Sequence, residues 1–477
     1  MWRSISYALA LCGCVLLAGC GGSMNSPQTK SGVPMSLTIG DAPPGGVAVV
    51  FFEATISGAS LQPSDMSKSA VAVLTTPVEV EFSHLQTDTA FVSLTNIPPD
   101  TYSSMKLTFG NATLTIVNHS GTMVVSCADN SVCELTPSFS ASSVTVTGPS
   151  FPLTISPQSV VGIRLDFNVD SSVQPDLTIN PMVTVKKLTV RQQDEQEEME
   201  RLDEIDGQVA AVGTNQFTLT TGHSGQSFTI NVDTNTVFED FDHSGCTVSP
   251  ANFSCVQTGQ VLDVDLSENG SGAMLAKRVE FEEHANMQAI RGTITSVDSS
   301  TQFHMVVFNE EPTVSGLSEG SPVVVTIAPN ATFQLGMEET GEDGGFSFSG
   351  LSFASGADLM VGQDVQVRPG GVSSAGGIAT LTTDLVRLRP SQITGQIGSI
   401  DSGRGTFTLT GLSPLFTGAT PPVTKIKVMT LSDMDFTDLA GLGQLTLGDT
   451  VSVKGLLFNT PTTPTLVTRT MSEDNQH

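Results

Sequence analysis

Ile205-Asp206-Gly207-Gln208-Val209 recurs in this chain as Ile290-Arg291-Gly292-Thr293-Ile294 and again as Ile393-Thr394-Gly395-Gln396-Ile397. Each copy alternates apolar and polar residues about a central Gly, the period of a strand and not of a helix. Each leads into a second alternating run with a Phe: Gln216-Phe217-Thr218-Leu219, Gln302-Phe303-His304-Met305 and Thr406-Phe407-Thr408-Leu409. A Gly-led run comes later in each unit, as Gly259-Gln260-Val261, Gly362-Gln363-Asp364 and Gly448-Asp449-Thr450. A closing run ends each one, through Arg278, Arg387 and Arg469. The copies are about 85 to 103 residues apart, longer than solenoid repeats, so each unit is expected to be a small domain of its own. Five or six short strands without helices suit a closed barrel, which leaves no exposed edge. The opening Gly belongs where a strand bends sharply at a barrel corner. Three small β-barrel repeats are therefore expected, over residues 205–284, 288–389 and 391–472. A Gly-rich and acidic insert around 338–356 stretches the second and reads as a mobile surface loop.

Period-two alternation also dominates the region before the repeats. Met35-Ser36-Leu37-Thr38-Ile39, Val78-Glu79-Val80-Glu81-Phe82, Met105-Lys106-Leu107-Thr108-Phe109, Leu114-Thr115-Ile116 and Ile163-Arg164-Leu165-Asp166-Phe167 all read as strands. Pro- and Gly-rich clusters such as Asp41-Ala42-Pro43-Pro44-Gly45-Gly46 separate them. The expectation is an all-β chain with an N-terminal β-sandwich, immunoglobulin-like or prealbumin-like, over residues 34–190. Between it and the repeats, residues 191–204 contain no Gly, Pro or β-branched residue, and Glu197 lies four residues before Arg201. This predicts a short, exposed, acidic helical linker.

Two marks in the sandwich region carry a family resemblance. Asp41-Ala42-Pro43 directly follows the first strand, and Ile97-Pro98-Pro99-Asp100-Thr101-Tyr102 leads into a later one. Residues 34–188 thereby resemble the bacterial lipoprotein module called domain of unknown function 4382, whose members share an Asp-Ala-Pro and a Pro-x-Gly-x-Tyr turn; Asp100 stands in place of the usual Gly. The repeats resemble domain of unknown function 5666, a small β-barrel module repeated in bacterial envelope proteins. Both resemblances imply folds and neither implies an activity.

The N-terminus speaks to location. Arg3 and the apolar run from Tyr7 to Leu17 have the layout of a secretory signal too short to span a bilayer. Leu17-Ala18-Gly19-Cys20 resembles the bacterial lipobox, which implies a signal peptide over residues 1–19 and lipid on Cys20, the palmitate-type acylation of lipoproteins. Residues 20–33 then read as a flexible tether. Gly21, where an Asp would favour inner-membrane retention in such lipoproteins, leans the expectation towards the outer membrane, on a face the sequence leaves open.

Charge and cysteine usage fit export. With 48 acidic against 20 basic residues, the net charge of −28 argues against nucleic acid and against adhesion to anionic head groups. Beyond Cys20, four cysteines form two local pairs, Cys127 with Cys133 and Cys246 with Cys255. Neither pair has the Cys-x-x-Cys spacing or the His partners of a zinc site, so disulfides are expected. Trp is missing after the signal and Tyr102 is the sole Tyr there, which disfavours a dedicated glycan-stacking face.

Chemistry-bearing motifs are sparse. Gly316-Leu317-Ser318-Glu319-Gly320 spells a nucleophile elbow, yet strand pattern and Pro322 follow it where a helix is required. Asp240, Asp242 and Ser244, in Asp240-Phe241-Asp242-His243-Ser244-Gly245, have the oxygen spacing of a calcium loop, but Ala251 stands where an EF-hand has its bidentate Glu. The alternative for that stretch is a polar hairpin turn beside a bridge, and the acidic run 338–345 has the same two readings. The seven histidines are scattered without metal-ligand spacing and read as residues of turns or solvated strand faces. No catalytic set is expected and no cofactor beyond that Ca2+ candidate. The chain reads as a lipid-anchored envelope protein that presents non-catalytic β modules for binding or spacing. Its expected partners are the membrane, through the lipid, and an unidentified envelope protein or polysaccharide. The alternative is a calcium-dependent or polysaccharide-binding envelope module, with a hydrolase behind both.

Overall fold

The computed structural model describes residues 33–473 apart from 43–46, 86–89, 158–160, 189–190, 194–195, 199–204, 206, 221–226, 240, 242–243, 269–273, 285–288, 312–313, 336–349, 376 and 438–440. The expected signal, Cys20, the expected tether up to residue 32 and the acidic run 338–345 lie outside the described residues.

The described chain is all-β, as its alternation predicts, and its N-terminal part is two packed sheets. One runs in the order Val183–Leu188, Val161–Asn168, Val33–Ala42, Ala90–Ile97, with the two middle strands parallel. The other is built on two long antiparallel strands, Ala48–Pro63 and Asp100–Asn118. Val71–Leu74 and Val78–Glu81 pair with the first of these, and Ser131–Leu135, Ser143–Val146 and Leu153–Ile155 with the second. Phe52, Phe82 and Phe109 meet Phe167 of the facing sheet, with ring centroids 5.7, 4.6 and 5.6 Å apart. Offset and edge contacts of this kind suit the ring quadrupole and fill the space between sheets. The runs at 105–109 and 114–116, read as separate strands, are one strand of 19 residues; Asn111, at φ 44°, kinks it where the register slips.

The Ile97-to-Tyr102 turn has a physical reason. Tyr102 is fully buried and its hydroxyl donates to the Pro98 carbonyl at 2.7 Å, tying the strand to the turn that launches it. Burial, with Asp100 nearby, pushes the phenol up to about 12. Asp100, the departure from the Gly pattern, ion-pairs with Lys68 at 2.6 Å and accepts from the Thr101 amide.

The linker expectation fails where the segment is described. Arg191–Gln193 pairs antiparallel with Gln196–Glu198, a two-stranded ladder in place of a helix. Helix propensity alone does not meet the cost of nucleation in a stretch this short, and the segment has no apolar face to dock.

Three barrels follow, all with one topology. The first closes in the order Gly207–Val212, Gln216–Thr220, Ser227–Asn231, Met274–His284, Gln260–Glu268. The second runs Ala289–Ser299, Gln302–Glu311, Pro322–Leu335, Ile378–Arg389, Asp364–Ala375, and the third Ser391–Asp401, Thr406–Thr410, Ile426–Thr437, Thr465–Glu473, Thr450–Phe458. In each, the third strand closes on the last in parallel, and that pairing is interrupted once. In the first barrel the interruption is complete, so Val237–Glu239 is a separate short strand on the same partner.

The repeated glycines are explained by space and backbone. A Cβ on Gly207 would come 2.6 Å from a Leu219 side-chain carbon, on Gly292 2.5 Å from the Val306 carbonyl oxygen, and on Gly395 2.8 Å from that of Thr410. The opening strand therefore crosses its neighbour at a distance only Gly permits. Gly259, Gly362 and Gly448 have φ of 90°, 81° and 95°, the left-handed region. Each donates its amide to the opening strand of its own barrel, at Val209, Ile294 and Ile397.

The modules also pack on one another. One apolar cluster runs from the sandwich into the first barrel. Another joins Leu456, Phe458 and Val467 of the third barrel to the core of the second. A third spans three modules: Ala48, Val50, Phe51 and Val117 on the outer face of the sandwich, Val306 and Phe308 of the second barrel, and Leu415 of the third. A register slip between Val49 and Phe51 makes this layer possible, because it sends Phe51 outwards and Phe52 into the core.

Candidate functional site

Where the sandwich meets the second and third barrels, the apolar layer borders a buried chain of polar side chains. Glu81 ends the strand Val78–Glu81 and is almost wholly buried. Its carboxylate accepts the backbone amides of Phe52, Ser83 and His84 at 3.1, 2.9 and 3.1 Å, and His84 Nδ1 lies 2.7 Å away. His84 Nε2 is 3.3 Å from Thr293 Oγ1 in the opening strand of the second barrel. Thr293 in turn donates to Asp364 Oδ1 at 2.6 Å. The last two residues face each other in the ladder that closes this barrel, so the register sets their contact.

Neighbours from the third barrel complete the enclosure. The His84 carbonyl accepts from Gln392 Nε2, and the Asp364 amide donates to Ser391 Oγ at 2.8 Å. Phe308 covers the imidazole face, ring centroids 4.1 Å apart. Burial is the largest influence on Glu81 and raises its carboxyl, but the His84 charge and the donated hydrogen bonds together outweigh it and hold the group below its usual range. For Asp364 burial wins. Its carboxyl is pushed up to about 6, with Glu81 adding to the rise, and His84, the Thr293 hydrogen bond and Lys454 opposing it.

This order of acid, imidazole and hydroxyl resembles a nucleophile-activating triad, but the proton tells them apart. A nucleophilic hydroxyl gives its proton to the imidazole. With Asp364 ionised Thr293 gives it to Asp364 instead, and Thr293 is itself buried between modules.

A second buried charge cluster lies within the first barrel. Arg278 reaches Asp265 at 2.9 Å, Glu280 at 3.1 Å and Glu239 at 3.5 Å. Burial, the largest single influence, lowers this guanidinium's affinity for its proton; Asp265, Asp263 and Glu280 outweigh it and raise it above the ordinary range. The cluster ties three strands together.

The sequence-predicted residues fall as follows. Cys127–Cys133 and Cys246–Cys255 are both bridged, with Cα atoms 5.7 and 5.4 Å apart. Asp240 and Asp242 lie outside the described residues. Ser244 is buried, and its hydroxyl donates to the Phe241 carbonyl while accepting the Cys246 amide, as the turn beside a bridge would have it. Among the described residues, no three His, Cys, Asp or Glu side chains are grouped to hold a metal ion. The Gly316–Gly320 motif serves as a docking turn: Gly320, at φ 81°, accepts from Thr115 Oγ1 of the sandwich at 2.6 Å and abuts Phe51.

Sequence reasoning missed His84 and Asp364. His84 read as a solvated turn residue, whereas the barrels cover it. Asp364 stands in the repeat where the other units have Val261 and Thr450, and that odd carboxylate in a core strand was the available signal.

Residues 33–186 match the family described as Domain of unknown function (DUF4382), and residues 206–280 match Domain of unknown function (DUF5666), in the order expected. The second match covers the first barrel, whose strand order the other two share. No curated protein matches the chain. Among solved structures, drosophila Unr CSD456 is similar at 9% identity over 57% of this chain and 98% of that one, with a TM-score of 0.12.

Proposed function

We propose that this chain, which joins a DUF4382 region to a DUF5666 barrel and two barrels of like topology, is a lipid-anchored protein of the bacterial cell envelope. It presents non-catalytic β modules, for binding or spacing, away from the membrane surface. The observation that carries the reading is Leu17-Ala18-Gly19-Cys20 at the end of an apolar run with one preceding basic residue. The two disulfides support an oxidising compartment. The apolar layers between modules support a stiff spacer over a string of loosely joined domains, because burial across each contact opposes hinge motion.

The test is metabolic labelling of cells expressing the chain with tagged palmitate, for the wild type and Cys20→Ala. Label on the wild type, absent from the variant, together with membrane fractionation of the wild type alone, is the expected outcome. An unlabelled wild type would overturn the anchor. Protease shaving of intact cells then decides which face presents the barrels.

A further inference from the structure

The chain from Glu81 to Asp364 crosses a module boundary: Glu81 and His84 belong to the sandwich, Thr293 and Asp364 to the second barrel. The single hydroxyl proton of Thr293 serves one neighbour at a time. With Asp364 ionised it goes to Asp364, so His84 must donate through Nε2 while Nδ1 donates to Glu81, and the imidazole is a cation. With Asp364 protonated the direction reverses: Asp364 donates to Thr293, Thr293 donates to His84 Nε2, and the imidazole is neutral. Both arrangements contain the same one proton beyond the doubly ionised limit, and both satisfy every link. Removing that proton leaves Asp364 ionised and His84 neutral, and two lone pairs then face each other between Nε2 and Oγ1.

We propose that this chain is a proton-operated latch, in which one proton shared by His84 and Asp364 through Thr293 fastens the second barrel to the turn after Glu81, and its loss unfastens that contact. Among the described residues, charged groups face the latch from the sandwich and from both barrels. Glu81 comes from the sandwich, and its negative charge favours keeping the proton. Lys454, from the third barrel, favours the ionised Asp364. Arg389 stands opposite Asp364 in the adjoining ladder and is buried. Phe308 and Gln392 are neutral; Phe308 lies against the imidazole face and Gln392 holds the His84 carbonyl. The proton belongs to the pair and not to either group alone, and its loss completes the ionisation of Asp364 with a neutral imidazole, in the mildly acidic to neutral range where an imidazole ordinarily gives up its charge.

Hydrogen exchange of the whole mature chain, read by mass spectrometry at pH 5.5 and 7.5 and corrected for intrinsic rates, tests the latch. In the wild type, peptides spanning Phe82 to Leu85 and Arg291 to Thr295 are expected to lose about tenfold or more of their protection at the higher pH, since an opening linked to one proton shifts up to about tenfold per unit. The ladder between Ser391–Asp401 and Thr450–Phe458 reports global unfolding and stays protected at both values. Asp364→Asn keeps an acceptor for Thr293 and a donor in the chain without titrating, so the same peptides stay protected at both pH values. Thr293→Val cuts the relay and leaves them unprotected at both. Protection in the wild type that does not change with pH, or an Asp364→Asn profile that follows the wild type, would overturn the latch.

Discussion

Phe51 is the sharpest test of how the modules fit. Its neighbour Phe52 points into the sandwich, while the register slip turns Phe51 to the outer face of the sheet. On an isolated sandwich that face would be wet, and Phe51→Ala would cost little or even stabilise. In the assembled chain Phe51 is fully buried, with Gly320 of the second barrel against its ring. Emptying such a site costs the transfer free energy plus the cavity, about 3–5 kcal/mol for Phe to Ala. The fixed Gly320 turn, held by Thr115, limits collapse and favours the upper half of that range. Tyr102, the one Tyr beyond Tyr7, lies in the sandwich core and makes its fluorescence a reporter of that module. Urea unfolding followed by this signal should show a lower midpoint for Phe51→Ala, comparable to the drop for Phe52→Ala. A Phe51→Ala midpoint within error of the wild type would refute the shared layer.

Three further outcomes follow from the same geometry. The folded-state value of Asp364, about 6, lies above the ordinary carboxylate value of 3.8, so folding favours its protonated form. That stabilisation is full below about pH 4 and gone above about pH 6, and a two-unit rise corresponds to roughly 3 kcal/mol. Asp364→Asn should therefore match the wild type near pH 4 and exceed it by about 2–3 kcal/mol at pH 7 in urea titrations; a gap that did not grow with pH would contradict the burial. Arg278→Ala leaves the buried Asp265 and Glu280 without their cation and should cost about 3–5 kcal/mol, read as early loss of protection in the strands Gln260–Glu268 and Met274–His284. Tyr102→Phe removes the tie to Pro98 and strands a carbonyl, about 1–2 kcal/mol by thermal unfolding; an unchanged melting temperature would assign the Tyr to packing alone.

Alternation made the strands legible, and the Gly-led repeats made the barrels legible, because both patterns report local geometry that each unit must satisfy by itself. Gly207, Gly292 and Gly395 could be placed at tight crossings from sequence for that reason. The acidic linker misled because propensity is a weak prior where nothing packs on the segment. The junction was opaque for a different reason. Glu81 and Asp364 lie 283 residues apart, with His84 and Thr293 between them, and no periodicity links a turn of one module to the strand of another. His84 in particular lies in an ordinary polar turn until two barrels are laid over it. The calcium-loop spelling at 240–245 illustrates the converse, a local pattern whose one described oxygen, on Ser244, is already spent on its own turn.

The outward-turned Phe51 bears on how such a chain could have been assembled over time. Tandem copies are usually free to be gained or lost, since each brings its own core. Here the second copy roofs a strip of the sandwich made of Ala48, Val50, Phe51 and Val117. Deleting it would bare that strip and invite self-association. The buried layer makes the second barrel a part of the sandwich's own surface and not an interchangeable copy.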